Sequence, residues 1–302
     1  MAPGTRRATR IVHVSDLHLE PDGHEQYDGL YARLHRIRSL VGELRADVVI
    51  ASGDLTNRGS STPEHFALAA QWLDALGVPW LAVPGNHDLG ANVTRGAQFP
   101  LMERYEDIPF AETGYAAALG TKLVPSAATE NLTVLGVVLR EDDPDGALDA
   151  LRSAIENCSG PVVVVGHYPV VRTRPLTSTE PFGAQGYVDR SAGELAALLR
   201  SSPNVIAYLC GHVHVTSTAP IGDSCMQFSA GGLGPGAAAL RLYAWDGMTW
   251  EYSTIDTEGP QTFWENGLEE ARSNPLFSSG TEWERRGRWM PPVSPIKTKE
   301  YP

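Results

Sequence analysis

Cysteine and lysine are the scarce residues of this 302-residue chain. Its three cysteines are Cys158, Cys210 and Cys225. An odd count with no Cys-x-x-Cys pair excludes a zinc ribbon and argues against a disulfide framework. Cys210 follows the apolar run Val205 to Leu209, which marks it as a packing residue. Lys122, Lys297 and Lys299 are the lysines among 24 basic residues, so arginine carries nearly all the positive charge. Arginine is the better residue for two-pronged phosphate contacts. Excess positive charge is lacking too. A formal net charge of −12 disfavours extended, sequence-independent nucleic-acid binding, which rests on many basic contacts to phosphate. Long apolar runs are absent: none approaches the roughly 20 residues of a membrane span, so no membrane partner is expected. Met1 to Arg10 is polar and basic and leads straight into Ile11 to Val14. The apolar stretch of a secretory signal is missing there, so the expected location is cytoplasmic.

What is present is an ordinary globular composition, 42% hydrophobic and 20% charged. Short apolar runs alternate with helix-period segments. Arg10 to Val14, Asp47 to Ala51, Trp80 to Val83, Leu132 to Leu139, Val162 to Val165 and Val205 to Leu209 read as strands. Gly29 to Arg45, Thr62 to Leu76, Pro144 to Asn157 and Ser191 to Arg200 read as helices, the second opened by a threonine cap and a proline. This is an α/β pattern. After His214 the pattern changes to four strands, Thr216 to Ile221, Ser224 to Ser229, Ala237 to Trp245 and Thr249 to Asp256. Gly-Asp, glycine-rich and Asp-Gly turns separate them, and they read as an antiparallel meander completing a second sheet. The expected division is a domain over 1–258 and a tail or cap over 259–302. That tail carries Trp264, Trp283 and Trp289, and reads either as a segment draped over the core or as a lid or homodimer contact.

Five short blocks follow in order: Asp16-Leu17-His18, Gly53-Asp54, Gly85-Asn86-His87-Asp88, Gly166-His167 and Gly211-His212-Val213-His214. Each stands just after an apolar strand, where open α/β sheets place their ligands. A hard or borderline metal pair needs carboxylate and imidazole ligands and one bridging group. Asp16 and His18 can turn toward one ion if the strand breaks between them. Asp54, with two oxygens and a glycine before it, is a natural bridge. Asn86 offers an amide oxygen, and His167, His212 and His214 offer nitrogens. Two adjacent ions imply in-line displacement at phosphorus by a bridging hydroxide.

In these blocks the chain resembles the calcineurin-like metallophosphoesterase superfamily, and within it the bacterial class III cyclic-nucleotide phosphodiesterases. The blocks span about two thirds of the chain. The resemblance implies a four-layer α-β-β-α sandwich of two mixed β-sheets flanked by helices. It implies one ion held by Asp16, His18, Asp54 and His214, and a second held by Asp54, Asn86, His167 and His212. His87 would be the imidazole that assists the leaving oxygen, and Asp88 would orient the turn. The ligand set suits Mn, Fe, Zn or Co without choosing among them.

Gly53 to Gly59 is similar to the Gly-Asp-x-x-Asp-Arg-Gly of protein phosphatases, but Asn57 replaces the second aspartate, so that aspartate's pairing with the catalytic histidine does not carry over. Arg58 matches, and stands either as a phosphate contact or as an exposed arginine. Two further substrate-binding candidates are His24, in the acidic loop after the first block, and Arg172, in the loop Tyr168 to Pro175. Among the other histidines, His13 reads as packed and hydrogen-bonded, and His35 and His65 as solvent-facing. Two divalent ions, two carboxylates and a bridging hydroxide leave about one net positive charge, the complement of a singly charged phosphodiester. A small, cyclic-nucleotide-like diester is therefore the expected substrate. The alternatives are a phosphomonoesterase acting on a nucleotide or small metabolite, and a non-enzymatic scaffold of the same fold.

Overall fold

The computed structural model describes residues 7–20, 29–60, 62–89, 108–140, 142–173, 192–234, 238–257 and 276–292. Its strands, numbered in chain order, are β1 (Thr9–Val14), β2 (Val48–Ala51), β3 (Trp80–Ala82), β4 (Ser126–Ala128), β5 (Thr133–Gly136), β6 (Val162–Val165), β7 (Val205–Cys210), β8 (Ser217–Pro220), β9 (Met226–Ser229), β10 (Ala239–Trp245), β11 (Trp250–Asp256) and β12 (Arg286–Trp289). They form two six-stranded sheets, ordered β12-β11-β10-β1-β2-β3 and β4-β5-β6-β7-β9-β8. Both are mixed: β1, β2 and β3 are parallel, as are β5, β6, β7 and β9, while β10, β11, β12, β4 and β8 join antiparallel.

Continuous apolar strands such as Val162–Val165 need cover on both faces. One face meets the other sheet: Ile11, Ile50, Leu81 and Val83 of the first pack with Val163, Val165, Leu209 and Phe228 of the second. The other face meets helices. α1 (Leu30–Glu43) and α2 (His65–Asp74) cover the first sheet, burying Leu34, Ile37, Val41, Phe66 and Leu73 against Val12, Val14 and Val49. Of the short helices, α3 (Asn86–Leu89) follows β3, and α4 (Gly114–Leu119) packs Tyr115 on the same side as α2. α5 (Ala147–Glu156) and α6 (Ala192–Ser201) cover the second sheet through Leu151, Ile155, Leu195 and Leu199. The result is the four-layer sandwich expected from the resemblance. No helix among the described residues is long and apolar enough to cross a membrane.

The meander reading is corrected. The four strands after His214 do not form one sheet: β8 and β9 join the second sheet, whereas β10 and β11 join the first beside β1. The glycine-rich link after β9 is a crossover between layers, so hairpin logic fails there. His65 is corrected as well. It is 6% exposed, in the first turn of α2, with Thr62 to Glu64 forming the turn before the helix. His35 is exposed. His13 is fully buried, with Nδ1 3.1 Å from Tyr243 Oη and Nε2 2.8 Å from Ser52 Oγ. Cys210 is fully buried in the core under α5 and α6. Toward the C-terminus, α7 (Leu276–Ser279) and α8 (Glu282–Arg285) lead into β12, which pairs with β11 at the edge of the first sheet. Trp289 packs against the inter-sheet core, and Trp283 is exposed. Trp264 lies outside the described residues.

Candidate metal centre

The loops that leave β1 and β2 continue the parallel pairing of their strands. Asp16 N donates to Gly53 O, His18 N to Asp54 O, Leu19 N to Leu55 O and Asn57 N to Leu19 O, at 3.0–3.1 Å. Within this ladder the backbone takes sharp left-handed turns. Among the described residues nine non-glycine positions have positive φ, and five of them are Asp16, His18, Asp54, His212 and His214. Such conformations cost on the order of 1–3 kcal/mol each and persist where the surroundings over-determine them, as at functional sites. Glycines make the room. A Cβ on Gly85 would lie 2.2 Å from Asp54 Oδ1, and one on Gly211 would lie 2.5 Å from Asp16 Oδ2.

These turns bring the side chains of both sheets to one point. Donor atoms of Asp16, His18, Asp54 and His214 lie within 4.8 Å of one another, and so do those of Asp54, His167 and His212. Asp54 belongs to both groups. His214 Nε2 is 3.2 Å from Asp16 Oδ1, and His167 Nε2 is 3.3 Å from Asp54 Oδ2. His18 Nε2 is 3.7 Å from Asp54 Oδ2. Asn86 Oδ1 lies 3.3 Å from His167 Nε2 and so joins the second group. The opposite ring nitrogens are engaged elsewhere: His167 Nδ1 with Ser52 O at 2.8 Å, and His18 Nδ1 with Asn57 Oδ1 at 3.2 Å. Partners behind the ring in this way fix the tautomer and aim Nε2 at a cation.

The charges show why a cation fits. Burial alone would raise the carboxyls of Asp16 and Asp54, but the surrounding histidines, His214 for Asp16 and His167 for Asp54, hold both below the ordinary carboxylate range. Burial and the neighbouring His87 push His18 down to about 3, which keeps it neutral, the form that ligates metals. At His167 burial again pushes the imidazole down, but Asp54 outweighs it and raises it to about 9. Two buried carboxylates thus draw a proton onto a histidine. A metal ion supplies that positive charge directly and frees the imidazole as a ligand.

Around the cluster, His87 is half-exposed. Its backbone N–H donates to Asp54 Oδ1 at 2.8 Å, and its Nδ1 meets Asn57 O at 2.8 Å. Asp88 is buried and accepts from Leu55 N, Thr56 N, Thr56 Oγ1 and Gly85 N, so it ties the Asp54 loop to the Asn86 loop. Arg58 is exposed beside Glu20 at 3.4 Å. Arg172 is exposed, and the structure does not bring it into the donor cluster. His24 lies outside the described residues.

Several positioning residues carry no motif. Buried Arg33 on α1 donates to Leu233 O at 2.9 Å, and Leu233 N and Gly234 N donate in turn to Ser15 O and Asp16 O. Buried Gln227 accepts from Val170 N and Val171 N and donates to Val171 O, which fixes the loop after His167. That loop sets the half-buried Tyr168 ring 4.8 Å from the His212 ring. An arginine inside a helical apolar stripe and a glutamine inside a strand were the available signals.

The profile of the calcineurin-like phosphoesterase family matches residues 9–216, the stretch that holds all five blocks. The chain is 28% identical over 222 residues to a probable glycerophosphodiester phosphodiesterase, GpdQ, of Arcobacter nitrofigilis, covering 69% of this chain and 72% of that one. It is 24% identical over 268 residues to the 3′,5′-cyclic adenosine monophosphate phosphodiesterase CpdA of Escherichia coli K12, covering 80% and 88%. Shorter matches to further bacterial phosphodiesterases span 29% and 35% of those proteins. Among solved structures, a dimetal phosphatase from Danio rerio shares the fold, with a TM-score of 0.57 and 12% identity over 84% of this chain and 98% of that one. With the profile matching well over half of its length, the chain belongs to the calcineurin-like phosphoesterase family and is a phosphoric ester hydrolase.

Proposed function

We propose that the protein is a two-metal phosphodiesterase acting on a small diester, with a cyclic nucleotide as the first candidate. The observation that carries this reading is the pair of donor groups sharing Asp54, with His87 hydrogen-bonded to the same carboxylate. Asp16, His18, Asp54 and His214 would hold one ion, and Asp54, Asn86, His167 and His212 the other. Bound there, the ions would activate water as the nucleophile and neutralise the phosphoryl oxygens. Mn, Fe, Zn and Co all suit these donors.

The chain's own residues do the rest. His87 gives its Nδ1–H to Asn57 O, so Nε2 is the nitrogen that exchanges: the doubly protonated ring would deliver its Nε2 proton to the leaving oxygen and be left as the Nδ1–H imidazole. Asp88 holds the two loops that carry Asp54 and Asn86 at fixed separation. Tyr168 and His212, their rings 4.8 Å apart, form a partly exposed side of the site. A diester is favoured over a monoester because a monoester dianion needs a further cation, and Arg58, the arginine beside the bridge loop, already faces Glu20. The names of the relatives, a cyclic-nucleotide and a glycerophosphodiester phosphodiesterase, support the diester class.

The test is hydrolysis of bis-p-nitrophenyl phosphate beside p-nitrophenyl phosphate, with Mn²⁺ and with chelator, followed by cyclic AMP and glycerophosphodiesters. Diester turnover above monoester turnover, lost in chelator, is the expected result. Faster monoester turnover favours the phosphomonoesterase reading. A metal-loaded protein inert toward both substrates overturns the enzymatic reading altogether.

A further inference from the structure

Asn57 touches both halves of the chemistry. Its side-chain Oδ1 lies 3.2 Å from His18 Nδ1, and its backbone O lies 2.8 Å from His87 Nδ1. Its Nδ2 donates to Glu20 Oε1. Asn57 is 8% exposed, and the Glu20 side chain 14%. The bond from Asn57 N to Leu19 O, 3.1 Å, locks the residue beside the His18–Glu20 segment.

The order of these contacts matters. A carboxylate only accepts hydrogen bonds, so Glu20 selects the NH₂ end of the amide and turns Oδ1 toward His18. An amide oxygen also only accepts, so His18 must carry its proton on Nδ1. Nε2 is then left unprotonated on the side of Asp16, Asp54 and His214. The backbone carbonyl of Asn57 imposes the same tautomer on His87. An aspartate at position 57 would also accept from His18, but it would set a second carboxylate against Glu20.

We propose that Asn57 is the positioning residue for both histidines, and that Glu20 is the reason this position holds an amide where protein phosphatases hold a carboxylate. The inference rests on the two-ion reading of the site. A relay of this kind is worth about 10–100-fold in metal affinity.

The first test is long-range ¹H–¹⁵N NMR of the metal-free full chain, with His18 assigned by comparison with His18→Gln. Protonated Nδ1 and unprotonated Nε2 are expected; a proton on Nε2 overturns the proposal. The second is Mn²⁺ titration by calorimetry. Asn57→Asp should weaken one of the two binding events about 10–100-fold, and Glu20→Gln/Asn57→Asp, which again offers a donor to position 57, should restore most of it. Wild-type affinity in Asn57→Asp, or no recovery in the double variant, overturns the proposal. Thermal melting accompanies each variant, and if the substituted chains fail to fold, the wild-type NMR result decides. None of these measurements reads ester hydrolysis. A protein that binds two Mn²⁺ yet cleaves no phosphoester would end the functional reading and leave this one standing.

Discussion

The two donor groups share a carboxylate but not an environment. Asp16, His18, Asp54 and His214 are all buried, beneath loops from both sheets. In the other group His212 is half-exposed, with the half-buried Tyr168 ring 4.8 Å away; half-exposed His87 stands at the shared Asp54, its ring 4.5 Å from that of His18. On the two-ion reading one position is closed and the other opens to solvent. The closed group carries four of the five strained ligands, Asp16, His18, Asp54 and His214, whereas His212 is the strained member specific to the open group. Strain and burial therefore concentrate where a cation is to be held, and access where a substrate is to be turned over.

Removing what the two groups share should produce the largest effect. Asp54→Ala leaves neither group complete and also removes the acceptor of the His87 backbone N–H. Turnover should fall by about 10⁴-fold or more, as when one member of a cooperating catalytic unit is lost. Metal analysis should fall from two ions per chain to fewer than one. Two retained ions would show that the groups do not depend on a common bridge.

A second substitution removes the half-exposed imidazole beside the shared carboxylate. His87→Ala should leave both ions bound and reduce kcat by about 10²–10⁴-fold, most with poor leaving groups and least with p-nitrophenolate. Calorimetric Mn²⁺ binding beside a leaving-group series measures both. If the substitution empties a metal position instead, His87 belongs among the ligands and the comparison must be redrawn.

The third test needs no substitution. An ion under closed loops should leave more slowly than one beside a half-exposed histidine. Chelator added to the Mn²⁺-loaded protein should remove the ions in two phases of about equal amplitude, with rates differing by about tenfold or more; His212→Ala should speed the fast phase and His18→Ala the slow one. A single phase in the wild type would mean that the two positions exchange together.

These contrasts also show what the sequence could reveal. The blocks from Asp16 to His214 were legible because ligand chemistry restricts residue type and short apolar strands announce the turns where ligands stand. The α/β pattern was legible from short apolar strands alternating with helix-period segments, and the four layers from the resemblance that the blocks carry. The contacts that aim the ligands were not legible, because they join distant positions. Arg33 reaches Leu233 across 200 residues, and Asn57 reaches Glu20 across 37. The crossover between β9 and β10 failed for the same reason: local turn signals mark where a strand ends but not which sheet the next strand joins. Periodicity alone left His65 on the solvent side of α2, whereas the fold buries it at the first turn.

The smallest effect is expected at Arg58, and it separates the two substrate readings. Its side chain is 67% exposed and lies 3.4 Å from Glu20. An exposed pair of this kind contributes about 0–1 kcal/mol, so Arg58→Ala should change the melting temperature little and diester kcat/KM by less than about fivefold. A monoester dianion would ask more of the same guanidinium, since the metal site alone balances roughly one negative charge. Steady-state kinetics of Arg58→Ala on bis-p-nitrophenyl phosphate and p-nitrophenyl phosphate therefore measures whether this arginine leaves Glu20 to meet a phosphate. Small losses on both substrates keep it as a surface pair and leave the diester reading intact. A tenfold or greater loss confined to the monoester would place Arg58 on the phosphate, extend the open side of the site to the loop after Asp54, and shift the balance toward a phosphomonoesterase.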